Sequence, residues 1–283
     1  MAGILITGGS GFFGKNFVKY LLSRSEYQRI AVFSRSEHIQ ADMAEELNHD
    51  PKLRWFIGDV RDRARLKRAM DGVDVVVHAA ALKRIETGAR NPIEMVRTNV
   101  DGAINVIEAS QDAGVKKVVA LSSDKACEPI SPYGISKAMA ETLFIEANNT
   151  VRGEPKYSCV RYGNVWASAG SVVPTWRKMI AAGKKTVPVS DPECTRFFMR
   201  IEEAVDLVNK TIETMKGGEI AIPDLPAYRL GDLAEAMGVG MDIRGLPAWE
   251  KRHEKMSWNK CSKDARRMNV EELRRELENV QPI

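Results

Sequence analysis

Short apolar runs alternate with helical patterns over the first 165 residues of the chain. The apolar runs cover residues 3–7, 30–33, 53–57, 73–78, 117–121 and 157–161. Between them, residues 12–22, 41–47, 64–70, 92–113 and 132–149 have helical spacing. Strands that are apolar throughout are buried on both faces. The pattern therefore predicts an α/β fold, a doubly wound parallel sheet covered by helices.

The alternation loosens after residue 165. Residues 172–182, 202–215, 230–237 and 270–277 have helical spacing, residues 219–222 form one short apolar run, and residues 242–265 are charged and irregular. We therefore expect a dinucleotide-binding domain over residues 1–165 and a smaller substrate lobe over residues 166–283. Some segments of the lobe are expected to return to the sheet of the first domain.

A glycine-rich loop separates the first apolar run from the first helical pattern. Gly8, Gly11 and Gly14 form a GxxGxxG motif. Glycines allow a tight turn here and let backbone N–H groups approach a pyrophosphate at the helix N-terminus. In this context the motif predicts dinucleotide binding. The alternative is a glycine turn that only packs the strand against the helix.

The end of the second apolar run indicates which dinucleotide is bound. An acidic residue there binds the ribose 2′-hydroxyl of NAD, whereas a basic residue accepts the 2′-phosphate of NADP. The chain has Ser34, Arg35 and Ser36 at this place, with no Asp or Glu among them. Because Arg forms bidentate bonds to phosphate, the pattern favours NADP, unless Arg35 is merely solvated.

Two further strand ends carry residues suited to the same cofactor. Asp59 and Val60 follow the third run and are candidates to hold the adenine, although Asp59 could be only a helix cap. The fourth run is followed by small residues that let the backbone pass close to a ligand, namely Ala79, Ala80 and Ala81.

A Tyr-x-x-x-Lys pair stands at the start of the last helical pattern of this half. Tyr133 and Lys137 are four residues apart and therefore share a helix face. We expect the Lys137 ammonium to lower the phenol pKa from about 10 toward neutrality, which makes Tyr133 a general base. Asp124 and Lys125 lie shortly upstream. The alternative interpretation of Asp124 and Lys125 is a solvated ion pair on a loop, with no catalytic role.

Composition narrows the class of protein. The 283 residues are 44% hydrophobic and 28% charged, as in an ordinary globular protein, and no apolar run approaches the ~18 residues of a membrane span. The net charge of +4 suits an anionic small ligand, and no basic block indicates nucleic acid. The four cysteines and four histidines lack metal-ligand spacing. We expect a reduced, metal-free cytoplasmic protein without a secretion signal.

Several motifs together carry a resemblance to a known family. TGGSGFFG, HAAA, Asn99 and YGISK occur in the order typical of the extended short-chain dehydrogenase/reductase superfamily, whose fold is a Rossmann sheet. Within it, FIGDVRD, VDVVVHAAALKRIE, LSSDKACEPISPYGISK, VRYGNVWASAGSVVP and TRFFMRIEEAV resemble the inverting UDP-N-acetylglucosamine 4,6-dehydratases, over about residues 4–222. The Ser-Asp-Lys before the tyrosine is the most specific element. Retaining dehydratases carry Asp-Glu there, and 4-epimerases carry small or hydroxyl residues.

The resemblance implies a set of residues for each part of the site. The catalytic set is Ser123, Asp124, Lys125, Tyr133 and Lys137. The NADP set is Thr7, Gly8, Ser10, Gly11, Phe12, Phe13, Gly14, Ser34, Arg35, Asp59, Val60, Ala79, Ala80, Ala81, Asn99, Tyr133 and Lys137. The set for a UDP-N-acetylhexosamine substrate is Lys83, Asn164, Val172, Thr195, Arg196 and Glu250. The resemblance implies no metal, and it implies a homo-oligomer, either a dimer or a hexamer.

The resemblance also implies a mechanism. Tyr133 removes the proton of the sugar 4-hydroxyl while a hydride leaves C4, and Ser123 hydrogen-bonds the 4-oxygen. Lys125 then takes the C5 proton, provided that Lys137 and the cofactor lower its pKa, and Asp124 protonates the departing 6-hydroxyl. The hydride returns to C6, and reprotonation of C5 from the opposite face inverts that centre. Asn99 is expected to orient Lys137 through water.

One segment departs from the family pattern. Where the family has Arg-Pro-Gly-Glu-Lys, this chain has Pro247-Ala248-Trp249-Glu250-Lys251. The arginine expected at the UDP phosphates is absent, so a weaker hold on the nucleotide is expected. Trp249 either stacks on the uracil or packs in the interior.

Two other functions stay open. One is a UDP-sugar 4-epimerase or retaining dehydratase on the same scaffold. Lys125 argues against the epimerase, which needs no base at C5. The other is a non-catalytic NADP-binding protein, against which the intact Ser-Tyr-Lys set argues.

Overall fold

A computed structural model describes residues 3–24, 27–150 and 153–280 of the chain. The strands are β1 (Gly3–Thr7), β2 (Arg29–Ser34), β3 (Leu53–Ile57), β4 (Val75–His78), β5 (Lys117–Leu121), β6 (Lys156–Val160), β7 (Asn164–Val165), β8 (Thr186–Val189), β9 (Thr195–Met199), β10 (Ile220–Ala221), β11 (Ala227–Arg229), β12 (Gly240–Ile243), β13 (Lys255–Ser257) and β14 (Lys260–Cys261). The helices are α1 (Phe12–Arg24), α2 (Glu37–Glu46), α3 (Arg63–Ala69), α4 (Ile85–Arg90), α5 (Pro92–Val96), α6 (Gly102–Asp112), α7 (Pro132–Glu146), α8 (Val172–Ala181), α9 (Ile201–Thr214), α10 (Leu230–Ala236) and α11 (Val270–Glu278).

Seven parallel strands form the central sheet, in the order β10-β6-β5-β4-β1-β2-β3. The predicted doubly wound α/β fold is thereby confirmed. The strand order reverses between β1 and β4. In open α/β sheets of this kind, ligands bind in the crevice at the carboxyl ends of the strands beside such a switch point.

Each face of the sheet has its own hydrophobic core. On one face, Ile4 and Ile6 of β1 pack with Phe17 of α1 and with Val208 of α9. On the other face, Leu5 of the same strand packs with side chains of α3, α6 and α7. Successive β1 side chains point to opposite faces, so both must be apolar, which explains the uninterrupted run in the sequence.

A smaller set of elements covers the carboxyl edge of the sheet. It contains the three-stranded sheet β11-β9-β7, the parallel pair β12-β8 and the hairpin β13-β14. Its core packs Trp166, Trp176, Phe198, Tyr228 and Leu273 together. Although they follow residue 165, α9 packs on the central sheet and β10 pairs with β6. The domain boundary at residue 165 stays a prediction.

Two helical segments differ from the predicted ones for local reasons. Helix α2 begins four residues before the predicted residue 41, because the Ser36 hydroxyl accepts from the Ile39 N–H and caps a polar first turn. The predicted helix over residues 92–113 contains a π-helical turn at Arg97–Asp101, between α5 and α6. Such turns insert one residue and re-aim side chains. Among the described residues, no helix is long and apolar enough to cross a membrane.

Candidate active site

A cleft of about 990 Å³ runs along the carboxyl edge of the sheet, between it and the smaller set of elements. This volume lies at the upper end of the range for ligand-binding clefts, about 300–1,000 Å³. Its lining includes most of the residues predicted for the site: Gly8, Ser10, Gly11, Phe12, Phe13, Gly14, Ser34, Arg35, Asp59, Val60, Ala79, Ala80, Ala81, Lys83, Ser123, Asp124, Lys125, Tyr133, Lys137, Asn164, Val172, Arg196 and Glu250.

The glycine loop packs too tightly for side chains. Gly8 has a φ of +66°, and a Cβ atom there would lie 2.9 Å from the Cα of Ala80. A Cβ atom on Gly14 would lie 2.5 Å from the Cα of Gly9. The loop can therefore rest on the small-residue segment after β4 and on the start of α1. The N–H groups in the first turn of α1 have no acceptor within the helix. They lie at the cleft, where they are available to an anionic ligand.

The far end of the cleft is lined by the residues that follow β2. The Ser34 hydroxyl accepts from Ser10 Oγ and from Gln40 Nε2, each at 2.8 Å, which leaves its own proton for a ligand. Arg35 is exposed at the same end. Asp59 has a lowered pKa: burial raises it, but bonding to Arg61 and the nearby Arg35 guanidinium outweigh burial. The site thus offers one guanidinium and one hydroxyl where a 2′-phosphate is expected.

A short 3₁₀ turn, Asp124–Ala126, carries the acid–base residues at the middle of the cleft. Asp124 is 1% exposed, and its Oδ1 accepts from Ser123 Oγ at 2.9 Å and from Lys125 Nζ at 3.1 Å. Lys125 Nζ also lies 3.3 Å from Asn164 Oδ1 and 3.4 Å from Glu254 Oε1. The pair is therefore not a solvated ion pair on a loop but a cluster held inside the cleft.

The charge states in this cluster differ in part from those predicted. Burial raises the pKa of Asp124, as expected for an acid, and Glu254 raises it further. Burial lowers the pKa of Lys125, but the Asp124 and Glu254 carboxylates outweigh burial and raise it above its ordinary value. The Lys125 pKa thus moves opposite to the lowering predicted from Lys137, because the adjacent Asp124 carboxylate and, second, the Glu254 carboxylate act on it instead.

The Tyr133–Lys137 pair shares one face of α7, but its electrostatics differ from the prediction. Burial raises the pKa of Tyr133, and the cation that partly offsets this is Lys125. Lys137 Nζ donates to the Leu121 carbonyl oxygen at 2.5 Å, and burial lowers its pKa. The prediction that Lys137 lowers the phenol pKa toward neutrality is therefore wrong for this structure, because Lys137 is bonded to the end of β5.

Two residues predicted to bind the cofactor lie behind the cleft. Thr7 Oγ1 is 2.8 Å from His78 Nδ1, and the Ala80 N–H donates to it at 3.3 Å. Asn99, on the π-helical turn, accepts from the Leu82 N–H at 2.8 Å and donates to the Leu82 carbonyl at 2.9 Å. These side chains hold the segment after β4 in place, and their contact with the cofactor stays a prediction.

Asn99 also links that segment to the helix of the catalytic tyrosine. Its Nδ2 donates to Ser136 Oγ at 2.9 Å, and Ser136 Oγ donates to the Tyr133 carbonyl at 2.8 Å. The structure thus gives Asn99 direct contacts with Leu82 and Ser136, and its predicted link to Lys137 through water stays a prediction.

At the substrate end, one predicted residue is turned away. Thr195 is 1% exposed, and its Oγ1 lies 2.9 Å from His253 Nδ1 and 2.6 Å from Ser262 Oγ. Its side chain ties β9 to His253, before β13, and to Ser262, after β14, and the contact of Thr195 with the nucleotide stays a prediction. Its neighbour Arg196 does line the cleft, where its guanidinium donates to Glu250 Oε1 at 2.5 Å.

The segment that departs from the family pattern also reaches the cleft. Trp249 lines it and is 43% exposed, so the predicted alternative of interior packing is wrong. Lys251 Nζ donates to the Cys127 carbonyl at 2.8 Å, beside the 3₁₀ turn. Pro247 is not among the lining residues. The residues by which this segment reaches the cleft are therefore Trp249, Glu250 and Lys251.

Sequence reasoning missed three residues that shape the site. Gln40 holds Ser34, Gly134 lets α7 approach the 3₁₀ turn, and Glu254 pairs with Lys125. The glycine directly after the tyrosine was a usable signal. Glu254 was not distinguishable, since it lies in a charged stretch with many similar residues. Within the described part of the chain, no three His, Cys, Asp or Glu side chains form a metal-binding group.

Comparisons with known proteins agree with this geometry. Residues 4–272 match the family model described as polysaccharide biosynthesis protein. The inverting UDP-N-acetylglucosamine 4,6-dehydratase of Campylobacter jejuni is 46% identical, over 89% of this chain and 76% of that protein. A protein of Rickettsia akari named UDP-glucose 4-epimerase is 42% identical, over 83% of this chain and 69% of its own length.

Solved structures show the same fold. The X-ray structure of Pen from Bacillus thuringiensis superposes with a TM-score of 0.92 at 31% identity, covering 99% of this chain and 98% of that chain. The dTDP-glucose 4,6-dehydratase DesIV of Streptomyces venezuelae, with NAD and TYD bound, has a TM-score of 0.83 at 21% identity, covering 98% and 96%. The resemblance inferred from the motifs is confirmed, and the chain belongs to the polysaccharide biosynthesis protein family within the extended short-chain dehydrogenases/reductases.

Proposed function

We propose that the protein is an NADP-dependent UDP-N-acetylglucosamine 4,6-dehydratase that inverts C5. The observation that carries this proposal is the position of Lys125, whose Nζ lies in the same cleft as Tyr133 and 3.1 Å from Asp124. A dehydratase needs one base for oxidation at C4, a second base at C5 and an acid at the 6-hydroxyl. Tyr133, Lys125 and Asp124 supply these three groups, and the 46% identical relative carries the same activity in its name.

The oxidation step depends on Tyr133. Held by the glycine loop and Arg35, NADP would supply the hydride acceptor for C4 and the hydride donor for C6, and its positive charge would favour the Tyr133 phenolate. Because burial raises the pKa of Tyr133, its phenolate is a strong base toward the sugar 4-hydroxyl. The Ser123 hydroxyl lies beside it and orients the 4-oxygen. Lys137, held by the Leu121 carbonyl, fixes the end of β5 against α7.

The elimination step depends on the Asp124–Lys125 pair. Its raised pKa lets Asp124 carry a proton, which it donates to the departing 6-hydroxyl. Lys125 is charged at rest and must lose a proton before it takes the one on C5. Its Nζ lies 3.1 Å from Oδ1 of Asp124, so Lys125 passes that proton to the Asp124 carboxylate, which forms the neutral amine and the carboxylic acid that elimination needs. After elimination, Lys125 has gained a proton and Asp124 has lost one, so the pair is back at its resting charges. When a hydride reaches C6, a solvent proton from the face opposite Lys125 completes C5 and inverts it.

The choice of NADP rests on the end of β2. The Arg35 guanidinium and the free proton of the Ser34 hydroxyl suit a 2′-phosphate. No carboxylate stands between Ser34 and Ser36 to bind a ribose 2′-hydroxyl.

A UDP-sugar 4-epimerase is the second candidate, because the Rickettsia akari relative bears that name at 42% identity. An epimerase needs only the C4 chemistry of Tyr133, and it would leave Lys125 without a role. The two functions are separated by incubating the purified protein with UDP-N-acetylglucosamine and NADP and following the sugar by NMR. A 4-keto-6-deoxy product is expected. A 4-epimer that keeps its 6-hydroxyl would favour the epimerase, and unchanged sugar would reject both.

A further inference from the structure

Glu254 is a buried carboxylate at the cleft for which neither the motifs nor the mechanism above provides a role. It is 2% exposed, and its Oε1 lies 3.4 Å from Lys125 Nζ. Its Oε2 lies 3.2 Å from Lys251 Nζ. A carboxylate this deeply buried is costly unless it is paired, and here it is paired with the proposed C5 base.

The backbone of Glu254 is held by hydrogen bonds on both sides. Its N–H donates to Ser262 Oγ at 2.8 Å, and its carbonyl accepts from the Ser262 N–H at 2.8 Å. Ser262 Oγ in turn lies 2.6 Å from Thr195 Oγ1 of β9. These bonds fix the Glu254 backbone relative to β9, so the side chain starts from a fixed position beside the cleft.

Charged groups from every neighbouring element face this carboxylate. Lys125 comes from the 3₁₀ turn, Arg196 from β9 and Lys251 from the preceding segment. Burial raises the pKa of Glu254, but these three cations outweigh burial and leave it lowered. Asp124, the other carboxylate beside Lys125, has a raised pKa. Two carboxylates that flank one ammonium therefore have opposite protonation preferences.

We propose that Glu254 is a positioning residue, the ionised counter-ion that holds the Lys125 side chain in the cleft and leaves the proton on Asp124. The inference rests on the proposed dehydratase function for its catalytic consequence. Without the Glu254 charge, Lys125 pairs with Asp124 alone. Asp124 then loses its proton at lower pH, and the ammonium is less constrained. In active sites with two neighbouring carboxyl groups, different surroundings push the two pKa values apart. One group then stays protonated and acts as the acid, while the other stays ionised.

The test compares Glu254→Gln with Glu254→Asp across pH. Removing a negative charge lowers the pKa of both Asp124 and Lys125, so both limbs of the kcat–pH profile should move to lower pH, by about one unit or more. At neutral pH the Gln variant should lose roughly 100-fold in kcat with little change in KM. The Asp variant keeps the charge and should keep the wild-type position of the profile.

A matched control separates charge from stability. Glu276 is also a buried glutamate, ion-paired with Arg200 and outside the cleft. Glu276→Gln should leave the position of the pH profile unchanged. If Glu254→Gln lowers kcat equally at every pH, or if Glu254→Asp shifts the profile as far as the Gln variant does, the inference is overturned.

A second measurement does not depend on turnover. Side-chain ammonium NMR of isotopically labelled lysines, with Lys125→Arg to assign the signal, follows the Lys125 titration in the wild type and in Glu254→Gln. The Lys125 signal should be lost at lower pH in the variant. An unchanged titration would reject the counter-ion role even in an active enzyme. If the wild type does not convert the UDP-sugar, the proposed function fails, while this titration still decides on Glu254.

Discussion

A Cβ atom on Gly134 would lie 2.4 Å from the carbonyl oxygen of Lys125. The first turn of α7 therefore rests directly on the backbone of the 3₁₀ turn Asp124–Ala126. This approach brings Tyr133, the residue before the glycine, into the same cleft as Lys125. Hydride chemistry at C4 and proton removal at C5 act on adjacent carbons, so the two bases must be close.

Gly134→Ala should disturb that relationship. The added methyl group must push α7 and the 3₁₀ turn apart, and displacements of about 1 Å in an active site cost on the order of 100-fold in rate. We expect kcat/KM to fall by about that factor while circular dichroism and NADP affinity change little. A variant with near wild-type kcat/KM would show that the contact has no catalytic consequence.

Tyr133→Phe should abolish turnover and leave cofactor binding nearly intact. The ring keeps its packing at 9% exposure, but the phenol oxygen that takes the 4-hydroxyl proton is gone. General-base contributions of about 100-fold or more are usual. Steady-state rates and NADP titration of the same sample measure both effects. If more than about a tenth of the rate remains, Tyr133 is not the base.

NADP should bind at least tenfold more tightly than NAD, a difference of about 1.4 kcal/mol. The expected cause is the bond between Arg35 and the 2′-phosphate. Calorimetric titration of both cofactors tests this, and Arg35→Ala should remove most of the preference.

The control for Arg35 is Arg63→Ala. Arg63 is also exposed, but it pairs with Glu108 and Asp112 on α6. Its removal should leave the ratio of the two affinities unchanged. Equal affinities in the wild type, or an NAD preference that Arg35→Ala does not affect, would contradict the assignment of NADP.

Acid should destabilise the fold through His78. Burial, with a smaller effect of Lys137, lowers the pKa of His78 to about 3, from an ordinary value of 6.5. Between these pH values the unfolded chain binds the proton and the folded chain does not. Stability is therefore complete above about pH 6.5 and falls as the pH drops toward 3, by roughly 2 kcal/mol at pH 5.

A His78→Asn variant tests that assignment. Asparagine keeps a polar atom for Thr7 Oγ1, which lies 2.8 Å from His78 Nδ1, but it does not titrate. Urea unfolding at several pH values should show a shallower loss of stability between about pH 6.5 and 5 for the variant. Parallel curves for the two proteins would assign the acid sensitivity to other groups.

The sheet was predictable from sequence because its inner strands, such as β1 and β4, are buried on both faces and therefore apolar throughout. The predicted runs at residues 3–7, 53–57 and 117–121 coincide with β1, β3 and β5, and the other central strands differ by one or two residues at an end. The short strands of the smaller lobe were not predicted. They are two to five residues long, and partners distant in the chain decide which face is buried, as where β11 pairs with β9.

The members of the site were more predictable than their charges. Motifs placed Asp124, Lys125 and Tyr133 together, because the carboxyl ends of parallel strands meet at one edge. The pKa of Lys125 depends on Glu254, which no local pattern links to it. The direction of the Thr195 side chain depends on His253 and Ser262. Such long-range contacts decide protonation and orientation, and spacing alone does not reveal them.

The role of Lys125 is tested most directly by the configuration and isotope content of C5 after turnover in D₂O. With Lys125 as the base, the first product should be the 4-keto-6-deoxy sugar inverted at C5. That carbon should carry deuterium, and the hydride at C6 should come unlabelled from substrate C4. Lys125→Ala should still reduce NADP slowly through Tyr133 but should not eliminate water. A product with retained C5 configuration, or a Lys125→Ala enzyme that eliminates water at the normal rate, would contradict the account.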